Sequence, residues 1–112
     1  MPNETQVLDR VFQALSNPTR REVISRLANG PTAMTKLAES FDMALPSFLQ
    51  HLQVLEAAGL VRSNKTGRVR TYQLESKNLL EAEHWMDVHR HQWESRLTQL
   101  DDFLLELKET QK

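Results

Sequence analysis

The 112-residue chain is 39% apolar and 26% charged and holds no cysteine, which suits one folded domain of ordinary size and leaves little room for a second. Without a thiol there is no disulfide, no thiolate metal site and no thiol redox sensor, as fits a reducing compartment. The opening MPNETQVLDR lacks a basic-then-apolar signal pattern, and no apolar run approaches the ~18 residues that cross a bilayer. The expectation is a cytoplasmic protein with no membrane partner.

The net charge of −1 speaks against a polyanionic partner until the chain is divided. Residues 1–74 carry nine Lys and Arg against six Asp and Glu, whereas residues 75–112 carry five against nine. From Leu60 to Leu74 there are Arg62, Lys65, Arg68 and Arg70 and no acid. Local basic density decides phosphate attraction, because charges further off than a Debye length of ~8–10 Å are screened.

The first apolar series, Val7, Leu8, Val11, Phe12 and Leu15, fits one face of a helix ending near Ser16. In SNPTRREVISRLANG, Ser16 or Asn17 supplies a cap, Pro18 suits the first turn, Val23, Ile24 and Leu27 form a stripe, and Gly30 stops the helix. A third, short helix starts near Thr32 or Ala33 and turns Met34, Leu37, Ala38 and Phe41 inward. A fourth follows within a few residues and ends at Gly59. Two helices joined so briefly must cross, which predicts a helix-turn-helix over about 32–58.

From 60 to 74 the pattern alternates around Lys65-Thr66-Gly67, with glycine available for a positive φ. This predicts a β-hairpin with a basic tip, a wing. From about 76 to 110 the chain is helical, with Met86, Trp93, Leu97, Leu100, Leu104 and Leu107 stepping by sevens, fours and threes and a break near His89 and Arg90. A helix of ~30 residues reaches ~45 Å, so its seam is expected to meet a partner copy rather than only its own domain. No repeat, low-complexity stretch or linker divides the chain, so residues 1–112 are expected to form one domain, mainly α with a small β-hairpin.

In the order LSNPTRREVISRL, LPSFLQHLQVLEAAGLV, GRVRTYQL, the chain resembles the ArsR-type (ArsR/SmtB-like) winged helix-turn-helix repressors of bacteria, closely over residues 8–75 and more loosely along the last helix. The resemblance implies a homodimer built on the first and last helices, with Val7, Leu8, Val11, Met86, Trp93, Leu97, Leu100 and Leu104 as candidate interface residues. It implies a recognition helix in the major groove, a wing on the flanking phosphates, and two such units about one DNA turn (~34 Å) apart on a near-palindromic duplex. Relatives often place serine where this chain has Ala44 and Leu49.

At 100° per residue, Phe48, Leu52 and Leu55 turn inward and Pro46, Leu49, Gln50 and Gln53 fall opposite. Leu49 is therefore expected to be exposed and to touch a thymine methyl. Gln50 is expected to pair with adenine, joined by Gln53 and Ser47 on an A·T-rich half-site. With no hydroxyl at 44, the first N–H groups of this helix stay open for a phosphate unless Asp42 caps them. His51 reaches DNA or packs on the neighbouring helix. Thr32 and Lys36, beside Thr35, are candidate backbone contacts or plain surface. One of Arg20 and Arg21 is expected to pair with an internal carboxylate. Lys65, Arg68 and Arg70 at the hairpin tip are expected to neutralise phosphates, while Tyr72 packs.

His84, Asp87 and His91 share a helix face with Glu94. Metal-sensing relatives typically carry a cysteine pair before the recognition helix, and this chain has none. In a second family site, Asp87-Val88-His89 matches the first half, but the second half falls at Leu100. No metal and no cofactor are therefore expected. There is no glycine-rich phosphate loop, cysteine nucleophile or Ser/His/Asp set, and no catalysis is expected. The competing reading is a winged-helix module that binds protein without touching DNA.

Overall fold

A computed structural model describes residues 3–110. The elements run α1 (Glu4–Leu15), α2 (Pro18–Leu27), β1 (Thr32–Ala33), α3 (Met34–Glu39), α4 (Leu45–Ala57), β2 (Val61–Thr66), β3 (Val69–Leu74) and α5 (Ser76–Thr110). Asn3 opens α1 with a reciprocal box, its Oδ1 accepting from the Gln6 amide at 2.9 Å while its own amide donates to Gln6 Oε1 at 3.3 Å. Asn17 rather than Ser16 caps α2, accepting from the Arg20 amide at 3.2 Å. The Ser16 hydroxyl instead donates back to the Gln13 carbonyl at 2.6 Å and closes α1.

The helix-turn-helix is α3 and α4. Its first helix begins at Met34 with Ala33 as its N-cap, and Thr32 and Ala33 also form a strand opposite Tyr72 and Thr71. This third strand makes the sheet order β1-β3-β2. Two residues are too few to show an alternating pattern, so nothing in the sequence announced it.

The hairpin closes through a two-residue turn at Gly67 and Arg68, with Lys65 facing Arg70 and Thr66 facing Val69. The turn thus lies nearer Arg68 than expected, with Gly67 at φ +63°. Gly59, at φ +71°, ends α4, and the Leu60 amide reaches back to the Leu55 carbonyl at 3.0 Å. A Cβ at Gly59 would run into the Asn78 amide, whose Nδ2 donates to the Ala58 carbonyl at 3.0 Å. Only glycine suits that place.

The core gathers Val11 and Ala14 from α1, Val23 and Leu27 from α2, Leu37 from α3, Phe48, Leu52 and Leu55 from α4, and Leu60 and Tyr72 around the sheet. Each large side chain so buried contributes about 1.5–3 kcal/mol. The chain divides into two compact units, residues up to Ala82 and from Glu83 on. The second unit is the remainder of α5, and no described side chain in it is buried. Among the described residues no helix is long and apolar enough to cross a membrane.

Candidate nucleic-acid interface

The side chains of α4 sort into arcs around its axis. Phe48, Leu52 and Leu55 fill the core. One flank carries Leu49, Gln53 and Glu56, which share an open groove with Met34 of α3 and with Lys65, Arg68, Arg70 and Tyr72 of the hairpin. Lys65 and Arg70 are cross-strand partners and so stand side by side on one face of the ribbon. Arg70 is steadied by donating from Nη1 to Ser63 Oγ at 2.9 Å. Among the described residues, the ion pairs involve other cations, including Arg62 with Glu75 at 3.6 Å, and leave Lys65, Arg68 and Arg70 without a carboxylate partner. Burial pushes the Tyr72 hydroxyl above its ordinary pKa, and Glu56 adds to the effect. Tyr72 packs, as expected.

Leu49 departs from expectation. It is half-buried and packed against the core rather than exposed, because it lies only about 60° around the helix from Leu52. The leucine that reaches solvent is Leu45, 48% exposed at the first helical position. The angular sorting of the helix began at Pro46 and left Leu45 out. Its place before Pro46, at the very start of the helix, was the available signal. Pro46, Ser47, Gln50 and Gln53 are exposed. Ala44 is the N-cap and no side chain caps the helix, so Asp42 does not fill that role and the first amides are left open.

On the opposite flank, His51 is half-buried, its Nδ1 3.2 Å from Arg20 Nη1. The histidine thus takes the packed alternative for one ring nitrogen. Arg20 also donates from Nε to the Ala14 carbonyl at 2.7 Å and from Nη2 to Gln13 at 3.2 Å, and Arg21 donates to Leu15 at 2.8 Å. The expected pairing with a carboxylate is replaced by these bonds, since the end of α1 offers carbonyls without helical partners and a negative dipole.

Burial, then the Arg20 charge, lowers the His51 pKa below 6.5. The folded state therefore binds fewer protons than the unfolded chain in the window below 6.5. This stability is present in full above 6.5 and is lost as pH falls through that value toward the folded pKa. Urea titrations at pH 7.5 and 5.5 should show a drop at the lower pH that shrinks in His51→Gln.

Thr32 and Lys36 lie elsewhere. Thr32 is half-buried in β1 and its hydroxyl donates to the Gly30 carbonyl at 3.1 Å, while Lys36 is exposed. Both border a shallow depression with Arg26, Asn29 and Ser40, separate from the groove.

Of the residues singled out for self-association, Val7 and Leu8 are half-buried, whereas Val11 is 0% exposed and belongs to the core. It occupies the inner arc of α1 beside Ala14 and has no surface left for a partner. Met86, Trp93, Leu97, Leu100 and Leu104 are all exposed along α5, Leu97 at 60%. Phe103, also exposed there, was missed, because the heptad count passed through Leu104. His89 is stacked between Trp85 and Trp93, with ring centroids at 4.2 and 6.2 Å. Among the described residues no three His, Asp or Glu side chains are grouped to hold a metal, and Asp87 and Glu94 flank Arg90 at 3.0 and 3.9 Å instead.

A crossed helix pair followed by a basic two-stranded ribbon defines a winged helix-turn-helix protein. Residues 15–64 match a family model described as a helix-turn-helix domain. The HTH-type transcriptional regulator Rv2034 of Mycobacterium tuberculosis is 44% identical over 63% of this chain and 66% of its own length. The transcriptional repressor SdpR of Bacillus subtilis is 32% identical over 70% of this chain and 88% of its own. A crystal structure of an ArsR family transcriptional regulator superposes with a TM-score of 0.77 at 44% identity, covering 85% of this chain and 98% of that one. The homodimeric winged helix-turn-helix DNA-binding domain of a Mycobacterium bovis protein, solved by NMR, gives a TM-score of 0.60 at 29% identity over 76% of this chain and 81% of that one. This chain belongs to the ArsR family of transcriptional regulators.

Proposed function

We propose that the protein is a cytoplasmic homodimeric repressor that binds a near-palindromic DNA duplex, with α4 in the major groove and the hairpin on the flanking phosphates. The observation that carries this reading is the groove in which Lys65, Arg68 and Arg70 stand beside the recognition helix with no carboxylate partner among the described residues. Three cations held this way attract phosphate and release counterions on contact. The protein-binding alternative does not require such phosphate-neutralising charge or the salt dependence that it brings, and the reading needs neither cofactor nor catalytic group.

Within the helix, Ser47 and Gln50 face outward at the start of α4, where recognition helices meet base edges. Gln50 forms paired hydrogen bonds with adenine, and the open amides of Leu45 and Ser47, on either side of Pro46, lie against a phosphate. Leu45 takes the methyl contact first assigned to Leu49. Gln53 contributes from the groove side, and Lys36 from outside it. Pairing through α5 and the Val7 and Leu8 edge of α1 is supported by the exposed row from Met86 to Leu104 and by the homodimeric relative. Repression follows from covering promoter DNA that polymerase must enter.

The methyl contact is tested on the best duplex selected from random DNA. Replacing its half-site thymines by uracil should weaken wild-type binding several-fold and leave Leu45→Ala indifferent, an apolar contact of about 1 kcal/mol. A Leu45→Ala protein that discriminates thymine from uracil as well as wild type does would remove Leu45 from the contact.

A further inference from the structure

We propose that Arg20 is a positioning residue for DNA binding: it holds the His51 ring as the neutral Nε2–H form and so leaves a directed donor on the recognition helix. The inference rests on the DNA-binding reading and deepens it. A guanidinium has five donors and no acceptor. The ring nitrogen that faces it at 3.2 Å, Nδ1, must therefore offer a lone pair, and in a neutral imidazole the proton is then on Nε2.

Nε2 is not sealed in. Arg20 is the ring's hydrogen-bond partner, His51 is half-exposed, and no buried side-chain nitrogen among the described residues lacks a partner. Nε2 therefore meets solvent. His51 lies about 40° around α4 from Ser47, next to the outward arc that carries Ser47 and Gln50. The donor stands where a phosphate or base edge would meet that arc.

Arg20 is itself immobilised. Its amide is held by the Asn17 cap, Nε by the Ala14 carbonyl at 2.7 Å and Nη2 by Gln13 at 3.2 Å, so one planar group joins the end of α1, the start of α2 and the middle of α4. Lysine would keep the charge but, as a single point donor, could not span the two carbonyls and the ring together. The device sets a tautomer by geometry rather than by charge.

The first test uses the full chain without DNA. Long-range nitrogen–proton NMR at pH 7.5 should show His51 with Nδ1 bare and Nε2 protonated, and in Arg20→Lys a mixture of the two tautomers. On the duplex selected from random DNA, Arg20→Lys should bind about tenfold more weakly, the order of one hydrogen bond, with an unchanged salt slope. In a His51→Ala background the same Arg20→Lys change should cost nothing further. Thermal melts exclude misfolding, and Arg20→Gln serves if the lysine variant does not fold.

A wild-type ring protonated on Nδ1, an Arg20→Lys ring with the wild-type tautomer, or an Arg20 effect that persists without His51 would each overturn the proposal. If the tautomer behaves as described but wild type selects no DNA, the DNA-binding reading fails and takes the positioning role with it, leaving only the ring's orientation.

Discussion

Replacing Leu97 and Leu104 by glutamate will leave the protein monomeric at micromolar concentration. Both leucines are exposed within one chain, Leu97 at 60% and Leu104 at 52%, and lie about 20° apart around α5 on the row that runs from Met86 to Leu107. A Leu that becomes buried contributes about 1.5–3 kcal/mol. Two such residues from each protomer, changed to four carboxylates in one seam, raise the dissociation constant by more than about a thousandfold. The unit up to Ala82 will keep its fold, because its buried core includes no residue of that seam. Sedimentation equilibrium checks the mass and circular dichroism the fold. The same variant should lose at least about a hundredfold in affinity for a two-half-site duplex, since the second half-site no longer binds at high effective concentration. A variant that stays dimeric would move the interface off α5.

The second large effect belongs to the wing. With Lys65, Arg68 and Arg70 all changed to glutamine, the slope of log K against log salt should flatten by about five, taking about 0.9 per phosphate and three phosphates on each of two protomers. Affinity at moderate salt should drop by at least about a hundredfold. The melting temperature should change little, because all three side chains are exposed and the bond from Arg70 to Ser63 is itself exposed. Arg62→Gln is the internal control. Its guanidinium faces Glu75 at 3.6 Å rather than the groove, so its slope should match wild type. Fluorescence anisotropy over a salt series separates the two.

Much of this was readable from the residues. The helix boundaries, the crossing pair and the basic hairpin follow from stripes, caps and glycines that act over three or four residues. What failed depended on partners distant in the chain. Leu49 was assigned by its angle to the far side of α4, yet it lies only about 60° around the helix from Leu52 and beside the hairpin, and those neighbours half-bury it. Val11 shares a stripe with Val7 and Leu8, and the stripe does not say which of them faces inward. The strand at Thr32 and Ala33 exists because β3 offers an edge.

Arg20 and Arg21 show the same limit from another side. A pair of arginines in a sequence suggests carboxylates, because charge is what composition displays. Backbone carbonyls at the end of α1 are invisible as letters, yet they accept three of the four bonds that these two guanidiniums make. The fourth goes to His51, and that one reorients the reading of the recognition helix.

The most direct measurement is the mass of the complex formed on selected duplexes as the spacing between half-sites is varied. A dimer carrying two recognition helices predicts two chains per duplex and an affinity maximum with half-site centres about one turn, ~10 base pairs, apart. One chain per duplex, with affinity indifferent to spacing, would contradict it.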